Sequence, residues 1–249
     1  MREASRAPRL EAVSTEAALA RVRASLETAA TSSLDLRVLD AGCGSDSARA
    51  GFPVPPWFRQ AHVVGVDVSR EALEQNALLD ERLVGDIQSM ELPAAAYDIV
   101  VCWDVLEHLR EPMRAVENLT RAVRPSGLLV IGVPNLWSLK ALVTKATPFW
   151  FHRFAYKRIF GRNETDSGPF HTYLRRSIAP RHLQRELERR GFSTEVGLVY
   201  GSDVSELFGS RRMLVAVWRI ASLLATTFSF GRIRSTHTET AFVFRRPIT

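Results

Sequence analysis

The sequence predicts an α/β protein built on a doubly wound parallel sheet with helices on both faces. Three observations predict it. Apolar strand-like runs alternate with helix-periodic segments between about residues 34 and 135. Two runs, Tyr97-Asp-Ile-Val-Val-Cys102 and Leu128-Leu-Val-Ile-Gly-Val133, are nearly unbroken, as strands covered on both faces are. Acids and glycines fall at the carboxyl ends of the runs, where this architecture binds its ligands.

Taken in order, residues 1 to about 13 read as a loose arm. Leu19, Val22 and Leu26 recur at helical spacing and predict a helix over roughly 15–30. The first strand, 36–40, reaches Asp40 and then a tight turn with Gly42, Cys43 and Gly44, where missing side chains let backbone approach a ligand. Ser47 stands where a dinucleotide-binding turn needs its third glycine. Gly51-Phe-Pro-Val-Pro-Pro56 is a rigid loop, so a helix after the glycine turn must be short or absent. Ala61–Asp67 is the second strand. Asp67, about twenty residues beyond the glycines, is placed to accept ribose hydroxyls. Ser69 caps a helix running to about Leu79. Leu83–Ile87 is a short third strand and turn, and 97–102 the fourth strand. Glu111-Pro112 opens a helix to about Val123, Arg124-Pro-Ser-Gly127 is a turn, and 128–133 is the fifth strand.

The run Asp40-Ala-Gly-Cys-Gly44, the acids Asp67 and Asp86, the pair Tyr97-Asp98, Leu106-Glu107-His108 and Arg124-Pro-Ser-Gly127 agree in order and spacing with one family. Over about residues 34–135 the chain resembles the class I S-adenosylmethionine-dependent methyltransferases. The resemblance implies a Rossmann-like, seven-stranded, mostly parallel sheet with its last strand antiparallel, plus helical lid insertions. It implies one domain over 1–249: an arm and helix (1–33), a cofactor-binding core (34–135), a lid or acceptor segment (136–178) and a helical insertion (202–236). It also implies S-adenosylmethionine as cofactor. Asp40, Gly42, Cys43 and Gly44 would line its amino-acid end. Asp67 and Val68 would take the ribose, Asp86 and Ile87 the adenine, and Cys102 and Trp103 would lie beneath the methionine tail. Two departures stand out. Asp46 replaces the family's third glycine, where aspartate's tolerance of left-handed backbone keeps the turn possible, and the proline-rich loop replaces a helix.

Asp104, Glu107 and His108 share a face if their segment is helical. The stretch resembles the Glu-x-x-Glu-His of ubiquinone-pathway O-methyltransferases, which implies a divalent metal as one reading. His108 as an acceptor-side base is another, and a histidine that merely packs is a third. His171 and Tyr173 are candidates to reach the same pocket.

The second half is less regular. Residues 136–160 mix aromatics with bases. A helix runs from Pro180 to Arg190 and ends at Gly191, 192–200 is the sixth strand and 238–244 the last. Within 202–236, Leu214, Val217, Trp218, Ala221, Leu224, Ala225 and Phe228 make an apolar helical face, with Arg212, Arg219 and Thr226 opposite. Arg219 in mid-run argues against a spanning helix, which leaves an interfacial helix, a pocket cover or simple packing.

A formal charge of +6 suits an anionic partner, a membrane surface or none. Trp103-Asp-Val-Leu106 stands where base-amino methyltransferases carry Asn/Asp-Pro-Pro-Tyr/Phe, so no nucleic-acid partner is expected. Two cysteines make no disulfide framework, and the acids among residues 1–33 speak against an organelle leader, so a cytoplasmic protein is expected, with possible peripheral contact at the inner membrane face. The expected function is methyl transfer, O- or C-directed, to a small-molecule or lipid-linked acceptor. A methyltransferase-like module without catalysis and a nucleic-acid methyltransferase are the alternatives.

Overall fold

The computed structural model describes residues 10–31, 35–46, 52, 54–151, 154, 171–201, 208 and 211–248. The expected Ser47, Gly51 and Pro53, most of 152–170 and the start of the 202–236 insertion lie outside them.

Strands are β1 (Glu11–Ala12), β2 (Arg37–Ala41), β3 (His62–Asp67), β4 (Glu81–Val84), β5 (Tyr97–Trp103), β6 (Val123–Pro134), β7 (Ser193–Tyr200) and β8 (Glu239–Arg245). Helices are α1 (Thr15–Ala30), α2 (Arg70–Gln75), α3 (Pro112–Ala122), α4 (Leu139–Ala146), α5 (Pro180–Arg189) and α6 (Arg212–Phe228). The strands form one sheet in the order β1-β7-β8-β6-β5-β2-β3-β4. β8 runs antiparallel to both β6 and β7; the other pairings are parallel. The class I methyltransferase sheet is therefore present, with one short strand more than the resemblance implied.

That extra strand is β1. The arm expected to be loose pairs with β7 through Glu11 and Ala12, and Val13 N–H donates to Val199 O at 3.1 Å. An ion pair between Glu11 and Arg21 joins it to α1. α1 starts where the Ser14 hydroxyl accepts Ala17 N–H (3.2 Å) and buries Ala18, Val22 and Leu26.

Every residue of β5 is buried. Helices α3 and α5 cover one sheet face through Ala115, Val116, Leu119, Leu183 and Leu187. α1, Leu73 of α2 and Phe58 of a 3₁₀ turn (Pro56–Gln60) cover the other. Phe58 and Phe52 pack together on this face: their rings meet edge to face at 6.4 Å, and Phe52 lies 5.5 Å from the Trp103 ring.

Three expected boundaries move. α2 stops at Gln75, four residues early, because Asn76 turns inward and is fully buried. β4 covers 81–84, which puts Asp86 and Ile87 in the following turn. The expected turn 124–127 is a bulge inside β6, where the register with β5 shifts. Asp98 holds that bulge, accepting Arg37 N–H at 2.9 Å and pairing with the Arg124 guanidinium. A β-carbon on Gly127 would lie 2.7 Å from Asp98 O, so only glycine fits there.

Candidate functional site

The site grows from the turn after β2. Gly42 and Gly44 have φ of +76° and +54°, angles that glycine adopts without steric cost. A β-carbon on Gly42 would lie 2.4 Å from Cγ2 of Val105, so the turn is pressed against the segment leaving β5. Gly42 and Cys43 N–H both donate to Val66 O, at 2.7 and 3.2 Å. Asp46 is not left-handed; the turn closes on its two glycines alone.

Asp67, at the end of β3, ties the turn together. Its Oδ2 accepts Gly44 N–H and its Oδ1 accepts Ser69 N–H, both at 2.9 Å. A carboxylate offers about four acceptor positions, so two suffice for these bonds and others remain for a ribose. Val68 beside it is 71% exposed. From behind, Asn76 Nδ2 donates to Gly44 O at 3.1 Å, and Arg82 donates to Asn76 O at 2.8 Å. Sequence reasoning missed Asn76; its polar side chain directly after an amphipathic helix was the available signal.

Asp40 is buried under the turn. Asp86 is engaged locally: its Oδ1 accepts both the backbone and side-chain N–H of Gln88, at 2.8 and 3.0 Å. Gln88 itself accepts Glu111 N–H at 2.8 Å, another link that sequence did not reveal. The side chains of Ile87, Cys43 and Cys102 belong to the core, and Trp103 packs against Gly132 and Phe52. Of these expected cofactor residues, Val68 is the one whose apolar side chain lies open.

The segment after β5 differs from the helix that would put Asp104, Glu107 and His108 on one face. Asp104 adopts φ of +54°, and only Leu106–His108 form a 3₁₀ turn. Three residues per turn and a left-handed entry break the helical face, although Glu107 Oε1 still lies 3.9 Å from His108 Nε2. Glu107 is 4% exposed, and its Oε2 has no hydrogen-bond partner. Burial first, and the nearby Asp104 carboxylate second, hold its carboxyl well above the usual range. Among the described residues no three carboxylate, imidazole or thiol groups converge to hold a metal.

His108 is half-buried. Its Nδ1 donates to His171 O at 3.0 Å, which makes Nε2 the acceptor of the neutral ring. Burial pushes its pKa down, partly offset by that hydrogen bond. The structure brings His171 and Tyr173 to the same place: their rings lie 4.5 Å apart, and the Tyr173 and Leu174 N–H groups both donate to Glu107 O. The Tyr173 hydroxyl accepts from Arg110 at 2.9 Å, and the Phe149 ring, from the segment after α4, lies tilted 5.6 Å from that of His171.

A glycine turn clamped by a strand-end acid, beside a half-buried histidine at the next strand end, is the layout of a class I methyltransferase. A family model described as "Methyltransferase domain" matches residues 11–195, and the chain belongs to that family of S-adenosylmethionine-dependent methyltransferases. It is 28% identical over 176 residues to a probable S-adenosylmethionine-dependent methyltransferase of Mycolicibacterium smegmatis, spanning 68% of this chain and 58% of that one. It is 31% identical over 108 residues to the ubiquinone biosynthesis O-methyltransferase of Aeromonas salmonicida, spanning 40% of this chain and 43% of that protein. These matches span less than two thirds of the relatives' own length. A S-adenosylmethionine-dependent methyltransferase from Archaeoglobus fulgidus superposes over 94% of this chain and 95% of its own, with a TM-score of 0.54 and 20% identity, a likeness of fold.

Proposed function

We propose that this protein transfers a methyl group from S-adenosylmethionine to a hydroxyl of a small-molecule or lipid-linked acceptor. The observation that carries the cofactor reading is Asp67, clamped to Gly44 and Ser69 with acceptor positions to spare beside the exposed Val68. The cofactor, when bound, supplies an activated methyl group. Asp67 would bind the ribose hydroxyls, and the Gly42–Gly44 backbone would receive the amino-acid end. Asp86 would meet the adenine through acceptor positions that Gln88 leaves open.

Methyl transfer is a displacement that depends chiefly on alignment and exclusion of water. A hydroxyl acceptor must also lose a proton. His108 is suited to take it: Nδ1–H is committed to His171 O, the ring stays neutral near pH 7, and Nε2 accepts. Tyr173 and His171 would orient the acceptor. Relatives named as ubiquinone biosynthesis O-methyltransferases support oxygen as the target.

The test is calorimetry on Asp67→Ala. S-adenosylmethionine affinity should fall at least about tenfold, since a charge-assisted hydrogen bond contributes roughly 1.5–3 kcal/mol. Unchanged affinity would remove Asp67 from the site.

A further inference from the structure

Helix α6 is packed on one side and bare on the other. Ser222 is buried, and Leu214, Trp218, Ala221 and Ala225 are half-buried. Met213, Val217, Ile220, Leu224 and Phe228 are 78, 60, 61, 50 and 79% exposed. They recur at i, i+4, i+7, i+11 and i+15, which is one stripe of a helix. Arg212 and Arg219, seven positions apart, border it. The expected apolar face is thus only partly covered: Leu214, Trp218, Ala221 and Ala225 are half-buried, while Val217, Leu224 and Phe228 stay exposed. Scattered exposed apolar residues need no explanation; a stripe the length of a helix does.

Charge identifies what covers it. Between Glu206 and Glu239 the sequence holds five arginines, at 211, 212, 219, 232 and 234, and no acid. Residues 135–163, which include α4, likewise carry bases and no acid. The two segments adjoin: Ser138 bridges Arg234, and Leu139 N–H donates to Arg234 O at 3.2 Å. Exposed Trp137 lies next to that bridge. A second copy of this chain would bring the same arginines to meet these, sign against sign. An anionic bilayer offers hydrocarbon to the stripe and negative headgroups to its border. At 17 residues α6 is about 25 Å long, short of a hydrocarbon core of roughly 30 Å. No helix among the described residues is long and apolar enough to cross a membrane.

We propose that α6 lies in the plane of an anionic phospholipid surface, with its outer stripe in the acyl boundary and Arg212 and Arg219 among the phosphates. The docking rests on α6 and its neighbours alone and goes beyond the proposed methyl transfer, holding whatever the acceptor is.

Flotation with phosphatidylcholine vesicles, with and without phosphatidylglycerol, tests it on the full chain. The protein should float with the anionic vesicles at low salt and stay behind with the neutral ones. A triple variant, Ile220→Asp, Leu224→Asp and Phe228→Asp, should bind at least about tenfold more weakly, with its circular dichroism and S-adenosylmethionine affinity unchanged because all three positions are exposed. A second variant, Arg212→Glu with Arg219→Glu, should bind more weakly and with a shallower salt dependence. Wild-type protein left in the soluble fraction with anionic vesicles at low salt overturns the proposal. So does a triple variant that floats like wild type. A dimer in sedimentation that the triple variant breaks would assign the stripe to a second copy and overturn it as well.

Discussion

The two ends of the proposed reaction are built differently. At the turn after β2, three successive N–H groups have fixed partners: Gly42 and Cys43 donate to Val66 O and Gly44 to Asp67, Asn76 holds the Gly44 carbonyl from behind, and Val105 fills the space a side chain at Gly42 would need. On the acceptor side, His108 Nδ1 donates to a carbonyl and its Nε2 lies 3.9 Å from Glu107 Oε1, Glu107 Oε2 is buried without a hydrogen-bond partner, and α4 leaves Leu142 and Val143 exposed. One end suits a ligand of invariant shape, which rewards rigid backbone. The other suits a ligand whose apolar surface completes the packing.

The comparison can be broken in three ways, largest effect first. If His108 is the proton acceptor, His108→Ala should lower turnover at least about a hundredfold while S-adenosylmethionine affinity holds. Because burial sets its pKa below the ordinary 6.5, kcat/KM should decline only under that pH. An acid limb centred above 6.5, or equal losses in turnover and cofactor affinity, would detach His108 from the chemistry. For the rigid end, Gly42→Ala combines a left-handed backbone angle with a clash against Val105. It should cost roughly 2–4 kcal/mol in urea unfolding. A neutral result would show that the turn gives way. The smallest effect sharpens the contrast. The folded-state pKa of Glu107 lies above its unfolded 4.5, so its contribution to stability falls as pH rises from that value through the folded one. Glu107→Gln, which does not titrate, should stabilise the protein by about 1–3 kcal/mol at neutral pH. The gain should vanish near about pH 4, where the wild-type carboxyl is protonated in both states. Equal gains at both pH values would point to packing instead.

The same contrast explains what could be read from sequence. Strands β2 and β3 announce themselves through apolar runs that reach an acid, and β5 and β6 through long apolar runs alone, since burial on both faces leaves few other compositions. Two-residue β1 has no pattern to offer; its pairing depends on β7, nearly 190 residues later. The spacing of Asp104, Glu107 and His108 fits a helix, and only the left-handed Asp104 overrides it. Asn76 acts through a carbonyl 32 residues away. In α6 the apolar residues number too many for one face, so periodicity alone could not say which face packs.

The position of β8 has a consequence for how the chain is made. It is the last strand described, yet it lies in mid-sheet between β6 and β7 and pairs with both along their length. Until residues 239–245 have been synthesised, β6 and β7 each present an open strand edge to whatever is nearby. Arg246 then fastens the β6 bulge from outside, donating its backbone N–H to Gly127 O at 2.9 Å while its side chain reaches the Val123 carbonyl. A ribosome-bound chain can therefore complete the glycine turn early, while its half-finished sheet keeps two open edges as templates for aggregation until β8 slides into the gap.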